Sequence, residues 1–403
     1  MSPHLPAGDV LVLSNGFGED TIAASIVEHI LRLENAPRVF AMPLVGEGQA
    51  YQRLGIETLG PRELMPSGGL LLAGWSNVFT DLRAGLWAMT LEQIRTLRRL
   101  RGRLGALVAV GDTIPTLFGA LFAREPVIMV GTAKSNYYYA YSWLERVVFR
   151  RFCDTVFTRD EPTAATLRGH GVNARWVGNA MMDCLGVTAD DLPVPRDATC
   201  VAILPGSRKV AFRDLPVLLD ASRLLGERRR MFYVMALADS IDVAELARVA
   251  ATQGWSWRED PAFAGDGCEG LLEGHGQRLL LVRGRFGDVV RPAQLVIGQA
   301  GTGNEQAVGM GKPVVSFDSD GKQPMGWYRA RQKGLLGDAL SVVDRAGPAL
   351  ADEVCAILED PSRYARMQAA GYDRMGPPGA SGRIAEYIVS RAVEAASRRQ
   401  MGR

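Results

Sequence analysis

The sequence predicts an α/β protein built from two doubly wound domains, each a parallel sheet covered on both faces. Three observations predict it. Short, continuous apolar runs alternate with helical patterns, and most of these runs end in a glycine turn, as parallel strands buried on both sides do. The rhythm stops once, at a Pro- and charge-rich stretch over 190–199, and then restarts. The chain has 403 residues, 47% hydrophobic and 22% charged, which suffices for two cores of ordinary globular composition.

In the first domain, residues 1–188, the predicted strands are 10–13, 39–41, 106–110, 127–130, 155–158 and 174–177. A helical pattern runs from Glu19 to about Leu33. In the second domain, 196–375, they are 200–204, 232–236, 278–282, 295–297 and 313–316. A periodic segment over 380–403 predicts a C-terminal helix that packs back across the domains. Two such sheets are expected to leave an interdomain cleft at their strand ends. Ligands of open α/β sheets bind outside the carboxyl ends of the strands, so the chemistry belongs in strand-to-helix loops.

Composition removes several function classes. There are 46 basic and 44 acidic residues, a net charge of +2, so nucleic-acid binding is not expected. The five cysteines (153, 184, 200, 268 and 355) form no C-x-x-C pair. That excludes a disulfide scaffold and a thiolate zinc site, and it suits a reducing cytoplasm. The four histidines (4, 29, 170 and 275) lack H-x-x-x-H spacing, and no metal is expected. The N-terminus has no basic n-region or A-x-A site, and no apolar run reaches about 18 residues. Neither a secretory signal nor a spanning helix is expected.

Five loops carry candidate chemistry. The first holds Asn15, Gly16, Phe17, Gly18, Glu19 and Asp20. Glycines before a helix leave backbone N–H groups free for phosphate or substrate oxygens. The plain alternative is a tight turn with Asp20 as the helix N-cap. In the second, Asp112 follows an apolar strand and precedes Pro115. A carboxylate there can take a proton from an attacking hydroxyl, or simply cap the next helix.

The third, Pro205-Gly206-Ser207-Arg208, offers backbone, hydroxyl and guanidinium to a phosphate, or is a surface turn. The fourth runs from Gly298 through Gly301, Thr302 and Gly303 to Glu305 and opens a helix. It reads as an anion site with a carboxylate for a ribose diol, or as a Gly-rich packing turn. The fifth carries Gln323 and Gln332, which read either as sugar-hydroxyl contacts or as helix-surface amides.

Together these loops resemble the type B fold glycosyltransferases, which have two Rossmann-like domains and a nucleotide-sugar in the cleft. More closely, the chain looks similar to the lipid-A-disaccharide synthase family, in particular its lipid-A-disaccharide synthase-related branch. The likeness covers essentially the whole chain. Its most specific pieces are Asn15–Asp20, Gly111–Thr116, Leu204–Arg208, Gly301–Glu305, and Gln323 followed by Gln332-x-x-Leu335-Leu336-Gly337.

The resemblance implies inverting, metal-independent transfer of a hexose or N-acetylhexosamine from a UDP-sugar donor to a hydroxyl of a lipid or lipid-linked acceptor, with no cofactor. It implies Asp112 as general base and Arg208, with Gly206 and Ser207, at the departing diphosphate. Gly301, Thr302, Gly303 and Glu305 then form the donor loop and helix start, and Gln323 a polar donor contact. The Asn15–Asp20 loop serves the acceptor or a phosphate. Two departures fall on the acceptor side. The synthase proper has Ser-Gly-Asp where this chain has Gly18-Glu19-Asp20. It also has a Pro-Asp-Phe type continuation where this chain has Thr113–Thr116.

Residues 69–103 join an apolar group, including Leu71, Trp75, Phe79 and Trp87, to a basic cluster that includes Arg95, Arg98 and Arg99. This suits an interfacial segment on the inner face of the cytoplasmic membrane, or a buried helix with a solvated basic end. The aromatic run Tyr137–Trp143 either lines an acceptor groove or caps the sheet. Two other functions fit the same fold: a UDP-N-acetylglucosamine 2-epimerase type enzyme, and a non-catalytic nucleotide-sugar-binding protein. The oligomeric state is left open.

Overall fold

The structure is a computed structural model that describes residues 8–61, 86–188, 192, 194–195, 197–207, 209–259, 267–318 and 326–401. The chain divides into two compact units. The first comprises residues up to Cys184 together with those from Pro377 onward, and the second Leu185–Gly376.

The first unit is a seven-stranded sheet of β1 (Asp9–Ser14), β2 (Val39–Pro43), β3 (Glu57–Thr58), β4 (Leu104–Gly111), β5 (Val127–Gly131), β6 (Cys153–Phe157) and β7 (Ala174–Arg175). Its order is β3-β2-β1-β4-β5-β6-β7 and every pairing is parallel. The continuous apolar runs explain this: β1 and β4 are buried along nearly their whole length, as strands covered on both faces must be. Leu11, Leu13, Met42, Leu97, Leu107 and Val127 share one core cluster. The chain leaves β1 in one direction and returns through β4 on its other side. The β1/β4 boundary is therefore the point where strand order reverses, and crevices for ligands form there.

The C-terminal helix, Ala380–Met401, belongs to this unit and packs on the Phe17–Leu31 helix and β4. Asp183 anchors its start by accepting the Gly379 N–H at 2.5 Å and the Ser381 N–H at 2.6 Å.

The second unit holds β8 (Thr199–Leu204), β9 (Met231–Leu237), β10 (Ser256–Arg258), β11 (Cys268–Gly274), β12 (Gln277–Arg283), β13 (Leu295–Gly298), β14 (Val314–Phe317) and β15 (Leu340–Val343). The order is β10-β11-β12-β9-β8-β13-β14-β15. From β12 to β15 the pairing is parallel, and the reversal point is β8/β13.

The sheet departs from an all-parallel expectation at one edge, where β10 and β11 pair antiparallel. The β11–β12 hairpin turns on His275 and Gly276, both with positive φ, the geometry of a two-residue turn that matches strand twist. The unit's core cluster includes Val201, Ile203, Leu218, Tyr233, Leu281, Ile297 and Phe317. Among the described residues no helix is long and apolar enough to cross a membrane.

Candidate active site

In the first unit, the loops after β1, β4 and β5 meet at the carboxyl edge of the sheet. The helix after β1 starts at Phe17, two residues before the sequence pattern suggests, and Gly16 (φ 143°) caps it without a side-chain bond. Asp20 is therefore not the N-cap. It lies one turn in, 2% exposed, and accepts a 2.6 Å hydrogen bond from Ser14 Oγ. Ser14 Oγ in turn accepts one from Tyr51 Oη at 2.7 Å, and both partners are fully buried. Burial pushes the Asp20 carboxyl up to about 6, against the stabilising Ser14 bond.

Asp112 caps the Thr113–Phe118 helix: its Oδ1 accepts the Ile114 N–H at 2.8 Å. Capping uses one carboxylate oxygen and leaves proton chemistry to the other. Burial raises its proton affinity, the Ile114 bond opposes that, and the charges of Glu145 and Lys134 pull in opposite directions.

Glu19 lies beside it. Gly111 has φ 130°, and a side chain there would place its Cβ 3.2 Å from Glu19 Cγ, so glycine makes the room. Burial raises Glu19, and the Asp112 charge adds to it, opposed by hydrogen bonds to its own backbone and to Thr132.

Two further residues join this edge that sequence reasoning did not single out. Glu145 takes Lys134 Nζ at 2.7 Å and Thr113 Oγ1 at 2.9 Å, and it forms a capping box with Ser142 at the start of the Trp143–Phe152 helix. Burial pushes its carboxyl up, but the Lys134, Ser142 and Thr113 bonds outweigh that and hold it below its usual value. Lys134 Nζ also stands 4.5 Å over the Tyr139 ring. The Ser142-x-x-Glu145 spacing was the available signal. Among the described residues, no three of the acidic, His or Cys side chains are placed to hold one metal ion.

In the second unit, the predicted donor loops meet at the β8/β13 reversal point. Gln299 N donates to Leu204 O at 2.7 Å. Gly206 has φ 94°, and a Cβ there would lie 3.4 Å from Gln299 O. Ser207 is exposed. The Thr302–Gly309 helix begins after Gly301, which supplies no side-chain cap. Thr302 is exposed, and Gly303 and Glu305 lie in the first turn. Arg208 and Gln323 lie outside the described residues. Gln332 is neither a surface amide nor placed for a sugar: it is 2% exposed and donates to Ala300 O at 3.2 Å and Gly301 O at 2.9 Å.

Of the interfacial candidates, Leu71, Trp75 and Phe79 lie outside the described residues, as does the side chain of Trp87. Arg95, Arg98 and Arg99 are exposed on the second half of the Leu86–Arg99 helix. That helix leads directly into β4, so its basic end sits at the sheet edge opposite Asp112. Arg101 marks the same edge, donating to Phe122 O at 2.7 Å just before β5. The aromatic run splits. Tyr141 is buried, whereas Tyr139 and Trp143 are exposed beside Leu144 and Ile114.

Fold and loop placement define a class: two parallel-sheet α/β units, each with its candidate loops at a strand-order reversal. This is the type B glycosyltransferase fold, which UDP-N-acetylglucosamine 2-epimerases share. The calicheamicin glycosyltransferase CalG4 matches with a TM-score of 0.60 at 15% identity, covering 96% of this chain and 98% of that one. A UDP-GlcNAc 2-epimerase from Neisseria meningitidis, solved with UDP-GlcNAc bound, matches with a TM-score of 0.58 at 13% identity, covering 96% and 100%.

In sequence the chain is similar to lipid-A-disaccharide synthases. It is 29% identical to that of Myxococcus xanthus over 180 residues (43% of this chain, 40% of the relative). It is 27% identical to that of Syntrophus aciditrophicus over 251 residues (54% and 57%). The chain thus spans about half the length of the curated relatives it matches. No family model matches it.

Proposed function

We propose that the protein is an inverting glycosyltransferase that moves a hexose or N-acetylhexosamine from a UDP-sugar to a hydroxyl of a lipid or lipid-linked acceptor, at the inner face of the cytoplasmic membrane. The observation that carries the reading is Asp112: a carboxylate at the β1/β4 reversal, fixed through one oxygen and raised in proton affinity by burial. In the proposed reaction Asp112 takes the acceptor's hydroxyl proton. The acceptor oxygen forms a bond to the anomeric carbon as the bond to the UDP oxygen breaks, and the electron pair leaves with UDP.

Charge on the leaving diphosphate is met by Arg208, Gly206, Ser207 and the helix start at Gly301, Thr302 and Gly303, without a metal. Glu305 is assigned to the ribose and Gln323 to a sugar or phosphate oxygen. The similarity to lipid-A-disaccharide synthases supports this class of donor and acceptor. For contact with a membrane, the exposed Ile114, Tyr139, Trp143 and Leu144 stand at the same edge as Asp112.

A second reading has a specific observation behind it. Glu19, Asp112 and Glu145 form a group of acidic side chains, and a 2-epimerase also needs acid and base groups. One experiment separates the readings. Calorimetric titration with UDP, ADP and GDP should show selective micromolar binding of UDP. Turnover of UDP-GlcNAc is then followed with and without membrane lipid extract. Glycolipid formed only with lipid supports the transferase. A 2-epimer formed without lipid supports the epimerase, and no binding of any of the three nucleotides defeats both.

A further inference from the structure

The loop between β13 and the Thr302–Gly309 helix is held from behind by one side chain of that helix and by others remote in sequence. Asn304 Nδ2 donates to Gly298 O at 3.0 Å, and Ser316 Oγ donates to the same oxygen. Gln332 Nε2 donates to Ala300 O and Gly301 O. Which end of the Gln332 amide faces the loop is set by the donors on its Oε1, Asn304 Nδ2 at 3.1 Å and Arg329, which has only donors. Its guanidinium bonds Gln332 Oε1, and Gln299 Oε1 at 2.6 Å. Arg329 and Gln332 are one helical turn apart on the Gly326–Leu336 helix, 5% and 2% exposed.

Peptide geometry turns this clamp into an outward-facing pattern. In a trans peptide the C=O and the next residue's N–H point in opposite directions. With Ala300 O and Gly301 O drawn toward Gln332, the N–H groups of Gly301 and Thr302 face away from it, at a helix start with no side-chain cap. The Leu204–Ser207 turn, which leads into Arg208, is tied to the same loop through Gln299 N and Leu204 O.

We propose that Gln332, oriented by Arg329, is a positioning residue that fixes the Gly301 and Thr302 N–H groups to receive a diphosphate. The proposal rests on the reading of the second unit as the nucleotide-diphosphate side. It assigns the Gln332 segment to the construction of the site, and contact with the ligand to the backbone.

The test is calorimetry on the full chain with pyrophosphate, UDP and UMP, for wild type, Gln332→Glu and Arg329→Lys. Gln332→Glu keeps the side chain's shape but sets a carboxylate oxygen against two carbonyls. It should weaken pyrophosphate and UDP binding about tenfold or more, and lower the UDP-to-UMP affinity ratio by a similar factor. Arg329→Lys keeps the charge but cannot span both glutamines, and should give an intermediate ratio.

A purely structural role would weaken UDP and UMP alike, so an unchanged ratio in folded variants overturns the proposal. So does a wild type that binds no diphosphate. Should wild type bind pyrophosphate and ADP without preferring UDP, the uridine reading fails separately, and the ADP-to-AMP ratio decides the role of Gln332.

Discussion

The two units set different side chains on one scaffold. Each has a parallel sheet whose order reverses once, and each gathers its loops at that reversal. At the β1/β4 edge the side chains are Glu19, Asp20, Asp112 and Glu145, with Lys134 paired to the last. At the β8/β13 edge the described side chains are mostly small, hydroxyl or amide groups, with one carboxylate, Glu305, in the first helical turn and a buried arginine behind the loop. The first edge raises the proton affinity of Glu19, Asp20 and Asp112 by burying them, while the Lys134, Ser142 and Thr113 bonds hold Glu145 down. The second clamps the carbonyls of Ala300 and Gly301, so that the amide N–H groups that follow face away from Gln332. Fold alone does not set which of these a reversal point becomes; the residues just past the strand ends do.

The strongest test of this division is Asp112→Asn. Asparagine caps a helix as well as aspartate does, so the Thr113–Phe118 helix keeps its start and only the proton acceptor is lost. Transfer should fall about 10²- to 10⁴-fold, the usual contribution of a general base. UDP affinity, measured by calorimetry, should stay within about twofold of wild type. A comparable loss of UDP affinity would break the division of labour, and full turnover would remove Asp112 from the chemistry.

Asp20 sharpens the comparison through pH. Its carboxyl titrates near 6 in the folded chain against 3.8 for a free side chain. Between those values the folded state binds more protons than the unfolded one. Its contribution to stability therefore falls from about pH 4 upward, and the loss is complete above about pH 6. The size is at most about 3 kcal/mol, because a tenfold change in proton affinity is worth about 1.4 kcal/mol. Asp20→Asn removes the titration, so the variant should be more stable relative to wild type at pH 7.5 than at pH 4.5. Parallel pH profiles from denaturant melts would show that Asp20 does not hold this proton.

How far the sequence shows these edges depends on the separation of the partners. β1, β4 and β8 are readable because each is a continuous apolar run ending in a glycine or proline turn, and the loops that follow are then placed by topology. The start of the first helix reads two residues late, because Gly18 hides the helical pattern and Gly16 caps through backbone alone. The role of Asp20 depends on Tyr51, 37 residues from Ser14, and that of Gln332 on carbonyls 31 and 32 residues away. No local pattern encodes such contacts. β11 is missed for another reason. Only its central Gly270-Leu271-Leu272 is well buried, so the strand lacks both a long apolar run and clean alternation.

The smallest expected effect concerns what surrounds each edge. At the first, Trp143 is 69% and Leu144 57% exposed, in the same helical turn as Glu145, which bonds Thr113 next to Asp112. Among the described residues the second edge shows no such rim: the exposed large apolar side chains described in that unit are Val187, Trp257 and Tyr372, none of them in its loops. If the first edge works on a lipid-borne hydroxyl, its rim should partition into a bilayer interface. Sedimentation with vesicles of phosphatidylglycerol and phosphatidylcholine measures this directly. Replacing both Trp143 and Leu144 by serine should lower the bound fraction about three- to tenfold, since only part of each side chain would be withdrawn from water. Melting should not change, because neither residue belongs to the core. Unchanged vesicle binding in the double variant would move the membrane contact away from Asp112, toward the basic end of the Leu86–Arg99 helix at the opposite edge of the sheet.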